Sequence, residues 1–216
     1  MDLTASIFEK YSKLSGSNQI ATQFALRIIS EHLDSHRPRS VLEIGAGIGT
    51  ITELLISKLP NARIVSYENN AWCVSQLVKN VNLTTVEIIT SHKALLQSGE
   101  SDFIIIDDYL DKNTTISLIN RVKPNSVFIE GHRRRQRLYV IKSYKKMGWK
   151  IDFKNYRKSH DSNKGGCIIA KSENAFDKTF LYLSFIYLTL ALSELFRIRS
   201  QISFKKLLAF RVFYKN

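Results

Sequence analysis

Three glycines at alternate positions, Gly45, Gly47 and Gly49, follow the apolar run Val41, Leu42 and Ile44 and precede Thr50, which opens a helical pattern. A turn this tight needs backbone angles that other residues avoid, and a missing Cβ lets a ligand lie against the main chain. Two acids accompany the turn. Glu43 stands two residues before the first glycine, and Glu68 closes the next apolar strand. A nucleotide-binding fold places an acid about twenty residues after its glycine turn, against the ribose hydroxyls. The chemistry that fits is the binding of a nucleoside-like ligand by a strand-turn-helix unit. A dinucleotide fits less well, because Gly-x-Gly-x-x-Gly would put the third glycine one residue later.

The pattern Glu-x-Gly-x-Gly-x-Gly from Glu43 to Gly49 resembles motif I of the class I S-adenosylmethionine-dependent methyltransferases. The resemblance spans about Asn18 to Lys171, with motif I and Glu68 as its specific parts and the order of elements as its general one. It implies S-adenosyl-L-methionine as cofactor, held by Glu43, Gly45, Ala46, Gly47, Gly49, Glu68, Asn69 and Asp107. In that family the turn passes under the methionine and ribose parts, and the acid at Glu43 orders the turn or meets the cofactor's amino group. Many relatives also carry an acid after the third strand to bind adenine. Here Ser91 and His92 stand at that point, so adenine would fall to them or to backbone groups.

Methyl transfer displaces a methyl group from a sulfonium, so the site must align acceptor, methyl and sulfur and remove a proton if the acceptor is a hydroxyl. Ligands of open α/β sheets lie across the carboxyl ends of the strands. Residues there include Asp107 and Asp108, Glu130, His132 and the loop around His160. His132 is the first candidate base, with His160 and Asp107 as the others; His132 could instead only pack beside the arginines that follow it. No metal is expected. Catechol-type relatives pair an acid after strand four with Asp-Asn after strand five, whereas this chain reads Glu130-Gly131, which leaves Asp107 or Asp108 with Glu130 an off-pattern Mg²⁺ site. Base N-methyltransferases, whose motif I looks similar, usually carry an Asn or Asp, a Pro-Pro or related pair and an aromatic after strand four, and Asp107-Asp108-Tyr109 lacks the prolines. O-methylation of a small-molecule or glycan-type acceptor therefore leads, with an RNA methyltransferase, a non-catalytic binding module of the same fold and an aminopropyl transferase as alternatives.

The elements that must position these residues follow from periodicity. Ile20, Phe24 and Ile28 predict a helix over Asn18 to Leu33. Strands are expected over Val41 to Ile44, Ala62 to Tyr67, Thr85 to Thr90, Asp102 to Ile106, Ser126 to Glu130, Trp149 to Tyr156 and Gly166 to Ala170. Helices lie between the early ones: one with Ile51, Leu54 and Leu55 buried, one capped by Asn69 and Asn70, and one opened by Arg133, Arg134, Arg135 and Arg137. Alternation up to strand five implies a parallel sheet, and a closing hairpin implies an antiparallel last strand. The fold class is α/β, a Rossmann-like seven-stranded sheet with helices on both faces and a helical C-terminal extension.

The 216 residues are 44% hydrophobic, which suits one domain with an extension and excludes a disordered chain. Expected boundaries are 1–176 for the methyltransferase domain and 177–216 for the extension. Cys73 and Cys167 have no metal-ligand spacing, and Met1 to Leu14 is amphipathic without the apolar run of a signal peptide, so a cytoplasmic protein is expected. A net charge of +13 favours polyanions. Phe180 to Phe196 is almost wholly apolar, and basic residues from Arg197 to Lys215 follow without an acid. This tail suits an anionic membrane interface rather than a span, or a helix docked on the domain or on a second copy in a homodimer. Nucleic acid is the less favoured partner, because no aromatic residues interleave with the four arginines to stack bases.

Overall fold

The computed structural model describes residues 2–131, 133–158 and 161–172. His132, His160 and the extension lie outside these residues. The chain runs α1 (Leu3–Ser12), α2 (Gln23–His36), β1 (Ser40–Ile44), α3 (Thr50–Lys58), β2 (Arg63–Tyr67), α4 (Ala71–Asn80), β3 (Val86–Ile89) and α5 (His92–Leu96). It continues with β4 (Phe103–Ile106), α6 (Lys112–Val122), β5 (Ser126–Glu130), α7 (Arg134–Lys146), β6 (Ile151–Lys158) and β7 (Asp161–Lys171).

The strands form one seven-stranded sheet in the order β3-β2-β1-β4-β5-β7-β6. The first five are parallel, and β7 runs antiparallel to both β5 and β6, as the terminal hairpin implied. Sheet growth reverses at β1: the chain steps outward to β3, then returns to β4 on the other side. Right-handed crossovers therefore put α3 and α4 on one face and α6 on the other. In keeping with this, α1, α2 and α3 pack together, and α6 packs against both α5 and α7. Covered on both faces, Phe103, Ile104, Ile105 and Ile106 of β4 are fully buried.

Local chemistry moves several boundaries. The helix expected over Asn18 to Leu33 starts at Gln23, because the Thr22 hydroxyl accepts the Ala25 N–H at 3.1 Å and caps it there. Residues Ser17–Gln19 form a 3-10 turn instead, leaving a short strap between α1 and α2. Asn70 alone caps α4, its side-chain oxygen accepting from Trp72 and Cys73. Trp149 belongs to the end of α7 and not to β6: its N–H reaches back to the Tyr144 carbonyl at 3.0 Å around Gly148, which has φ 77°. The hairpin is longer than its apolar residues suggested, because pairing continues to Lys158 and Asp161.

Candidate cofactor site

The glycine turn hangs on the end of β2. The N–H groups of Gly45 and Ala46 both donate to the Tyr67 carbonyl, at 2.9 and 3.1 Å. The next residue, Glu68, reaches back: one carboxylate oxygen accepts the Gly47 N–H at 2.8 Å and the other accepts the Asn70 N–H at 2.8 Å. Each oxygen keeps a lone pair for a ligand hydroxyl. The carboxylate is thus fixed before any ligand arrives, and one side chain joins the turn to the N-terminus of α4.

The three glycines serve different ends. A Cβ on Gly45 would lie 2.8 Å from Asp108 Cβ, and one on Gly49 would lie 2.5 Å from Val81 Cγ2. These two let neighbouring elements close in. Around Gly47, with φ 55°, nothing stands within 4 Å of the same point, so its open side faces free space.

That space is a cavity of about 460 Å³. It falls within the range of small-molecule sites, roughly 300–1,000 Å³. Gly45, Ala46, Gly47, Glu68, Asn69 and Asp107 line it, six of the residues the sequence nominated as cofactor contacts. Glu43 and Gly49 stand behind the wall. Glu43 is fully buried on β1, where Oε2 accepts the Thr52 hydroxyl at 2.7 Å and the Ser66 hydroxyl at 2.5 Å, tying α3 and β2 to the strand beneath the turn. Burial raises its carboxyl to about 7.

Sequence reasoning missed two further walls. The strap contributes Gly16 and Asn18 to Ala21, and α4 contributes Trp72 and Cys73. The strap passes so close to the indole that a Cβ on Gly16 would come within 2.6 Å of Trp72 Cη2. At the start of α3, Thr50 also lines the cavity, and its hydroxyl is buried without a hydrogen-bond partner. A ligand's polar group is one way to satisfy it. Ser91 is occupied as the cap of α5, and neither it nor His92 reaches the cavity.

Asp107 lines the cavity from the carboxyl end of β4, beside Gly45 of the turn. Burial, followed by a hydrogen bond with Glu130 and that group's charge, holds its carboxyl well above the usual carboxylate range, and Arg133 opposes the shift. The register explains the contact: Ile106 pairs with Ile129, so Asp107 and Glu130 are the next residues out on adjacent strands. Arg133 donates to the carbonyls of Ile106, Asp107 and Asp108 at 3.2, 2.6 and 3.2 Å, and Gln136 donates to the Asp108 carbonyl at 3.1 Å. Arg137 is buried, its guanidinium bonded to the Gly131 carbonyl and to Asn155. Two of the four arginines of the basic run therefore hold the strand ends in place, leaving Arg134 and Arg135 exposed. Among the described residues no three His, Cys, Asp or Glu side chains are grouped to hold a metal ion.

Residues 20–108 match the family model of the methyltransferase small domain. No curated protein matches the sequence. Similar solved structures include the S-adenosylhomocysteine-bound O-methyltransferase of Bacillus cereus, 16% identical with a TM-score of 0.59 over 80% of this chain and 92% of that one. The S-adenosylhomocysteine-bound methyltransferase PaMTH1 of Podospora anserina is 13% identical, with a TM-score of 0.57 over 80% of this chain and 89% of that one. A protein of Pyrococcus horikoshii assigned as an RNA methyltransferase is 12% identical, with a TM-score of 0.51 over 82% of this chain and all of that one. At such identities the likeness is one of fold.

Proposed function

We propose that this chain, which carries a methyltransferase small domain in a class I, S-adenosylmethionine-dependent methyltransferase fold, methylates a hydroxyl of a small-molecule or glycan-type acceptor. The observation that carries the reading is the open face of Gly47 beside the pinned carboxylate of Glu68, in a cavity that Asp107 also lines.

The residues present fit the cofactor. In this reading the Glu68 carboxylate, held by the Gly47 and Asn70 N–H groups, accepts the ribose hydroxyls, and the ligand passes over the bare main chain at Gly47. The orphaned Thr50 hydroxyl and the N-terminus of α3 suit the polar methionine end. S-adenosylmethionine supplies a methyl group on a sulfonium sulfur. The protein's part is to exclude water, to align the acceptor and to take its proton. Asp107, with its affinity for protons raised by burial and by Glu130, is the base that the described residues offer. His132 and His160 are the other proposed bases.

The test is transfer of labelled methyl from S-adenosylmethionine to a panel of phenols, sugars and RNA. Turnover of a hydroxyl acceptor, lost in Asp107→Asn or His132→Ala while S-adenosylhomocysteine still binds, supports the reading. Methylation confined to RNA bases, or cofactor binding without transfer to any acceptor, counts against it.

A further inference from the structure

Between Lys112 and Lys150 the chain carries eleven lysine and arginine residues against one acid, Glu130. Two of the eleven, Arg133 and Arg137, are turned inward onto backbone carbonyls, and Glu130 is engaged with Asp107. The other nine are exposed. They lie on α6, on α7 and at the ends of these two helices, which pack against each other on one face of the sheet. Arg134 and Arg135 begin α7 just past the carboxyl end of β5, and Lys146 and Lys150 lie at and beyond its other end. At ~1.5 Å per residue the basic stripe runs on the order of 20 Å along α7.

Cations at this density oppose one another, and with one acid in the same stretch the excess positive charge favours a polyanion outside the fold. Among the described residues, the large apolar side chains that stay exposed are Leu3, Trp72, Val78 and Tyr109, none of them on α6 or α7. A face for single-stranded nucleic acid interleaves aromatic residues with its charges. Here Tyr139 and Trp149 are half-buried, Trp149 packed against Tyr144 and Lys171. What the face offers is therefore chiefly charge, as adsorption to anionic headgroups requires, at about 1 kcal/mol per lysine or arginine near the surface. The sequence supplies the second signal that stable anchoring takes, the apolar run Phe180 to Phe196.

We infer that the α6–α7 face is a docking surface for an anionic phospholipid bilayer. Docked this way, the protein holds its cavity edge beside the membrane surface, where an acceptor carried on a lipid or a phosphorylated glycan is presented. The inference does not rest on the methyl-transfer reading, since binding is read without turnover.

The experiment is sedimentation of the full chain with vesicles of phosphatidylcholine alone and of phosphatidylcholine with phosphatidylglycerol at 7:3. Three proteins are compared: the wild type, a face variant (Arg134→Glu, Arg135→Glu, Lys150→Glu) and a control of equal charge (Lys13→Glu, Arg27→Glu, Lys79→Glu). Glutamates at the start of α7 suit its dipole, so the face variant should fold; an unchanged thermal midpoint and retained S-adenosylhomocysteine binding check this. The expected result is binding to the anionic vesicles only, at least tenfold weaker in the face variant than in the control. Equal weakening in both variants, unchanged binding in the face variant, no binding to anionic vesicles, or tighter binding to a single-stranded RNA oligonucleotide that the face variant loses would each overturn the inference.

Discussion

The Glu68 carboxylate and the Gly47 N–H meet at 2.8 Å across 21 residues of chain. The acid that would face a ribose and the glycine that leaves room for it are thereby one mechanical unit. Neither can move without the other, so the cavity wall is organised before a ligand enters, and little ordering remains to be done on binding.

Replacing Glu68 by Gln should therefore weaken S-adenosylhomocysteine at least tenfold. The amide exchanges one acceptor for a donor that confronts either the Gly47 or the Asn70 N–H, and hydrogen bonds to a charged group are worth about 1.5–3 kcal/mol. Calorimetric titration measures it, and equal affinities would show that Glu68 does not hold the ligand.

Gly49→Ala should act on stability. Its Cβ would fall 2.5 Å from Val81 Cγ2 and 2.9 Å from Leu77 Cδ1, at φ 104°. Overpacking and left-handed strain together cost about 2–4 kcal/mol. Urea unfolding should show this, with partial recovery in Gly49→Ala/Val81→Ala.

Two buried groups give opposite dependences of stability on pH. Glu43 is lifted from 4.5 to about 7, so the stability it contributes is present below pH 4.5 and lost, to roughly 3 kcal/mol, as pH rises to 7. His32 is lowered from 6.5 to about 4, chiefly by burial, so its contribution is present above pH 6.5 and lost as pH falls toward 4. In the wild type the two offset. Glu43→Gln removes one of them, and its urea midpoint should rise more steeply from pH 4.5 to 7 than that of the wild type.

The fold was legible because its signals are redundant: an apolar β4, a glycine turn and a hairpin without an intervening helix each point to the same sheet. The turn and Glu68 were legible because backbone geometry restricts which residues serve there. The strap was not, because Ile20, Phe24 and Ile28 share a helical period although Thr22 interrupts it with a cap. Trp72 carried no signal, since an aromatic residue in the first turn of a helix is ordinary until Gly16 is seen against it. The arginine run was legible only in part, because a charge pattern does not show that Arg133 and Arg137 are turned onto strand-end carbonyls while Arg134 and Arg135 stay exposed.

If Asp107 takes the acceptor's proton, the rate should rise with pH along a limb above the ordinary carboxylate range, because Asp107 must first be deprotonated. The hydrogen bond and charge of Glu130 both raise Asp107. Glu130→Gln should therefore move that limb to lower pH. A limb that stays in place would assign it to another group.

The most direct test is calorimetric titration of S-adenosylhomocysteine into the wild type and into Gly47→Val, whose side chain would fill the open space above the turn. Saturable binding by the wild type, lost in a variant that remains folded, is the result expected of a cofactor cavity built on this turn. A folded wild type that does not bind, or a Gly47→Val variant that binds equally well, would contradict it.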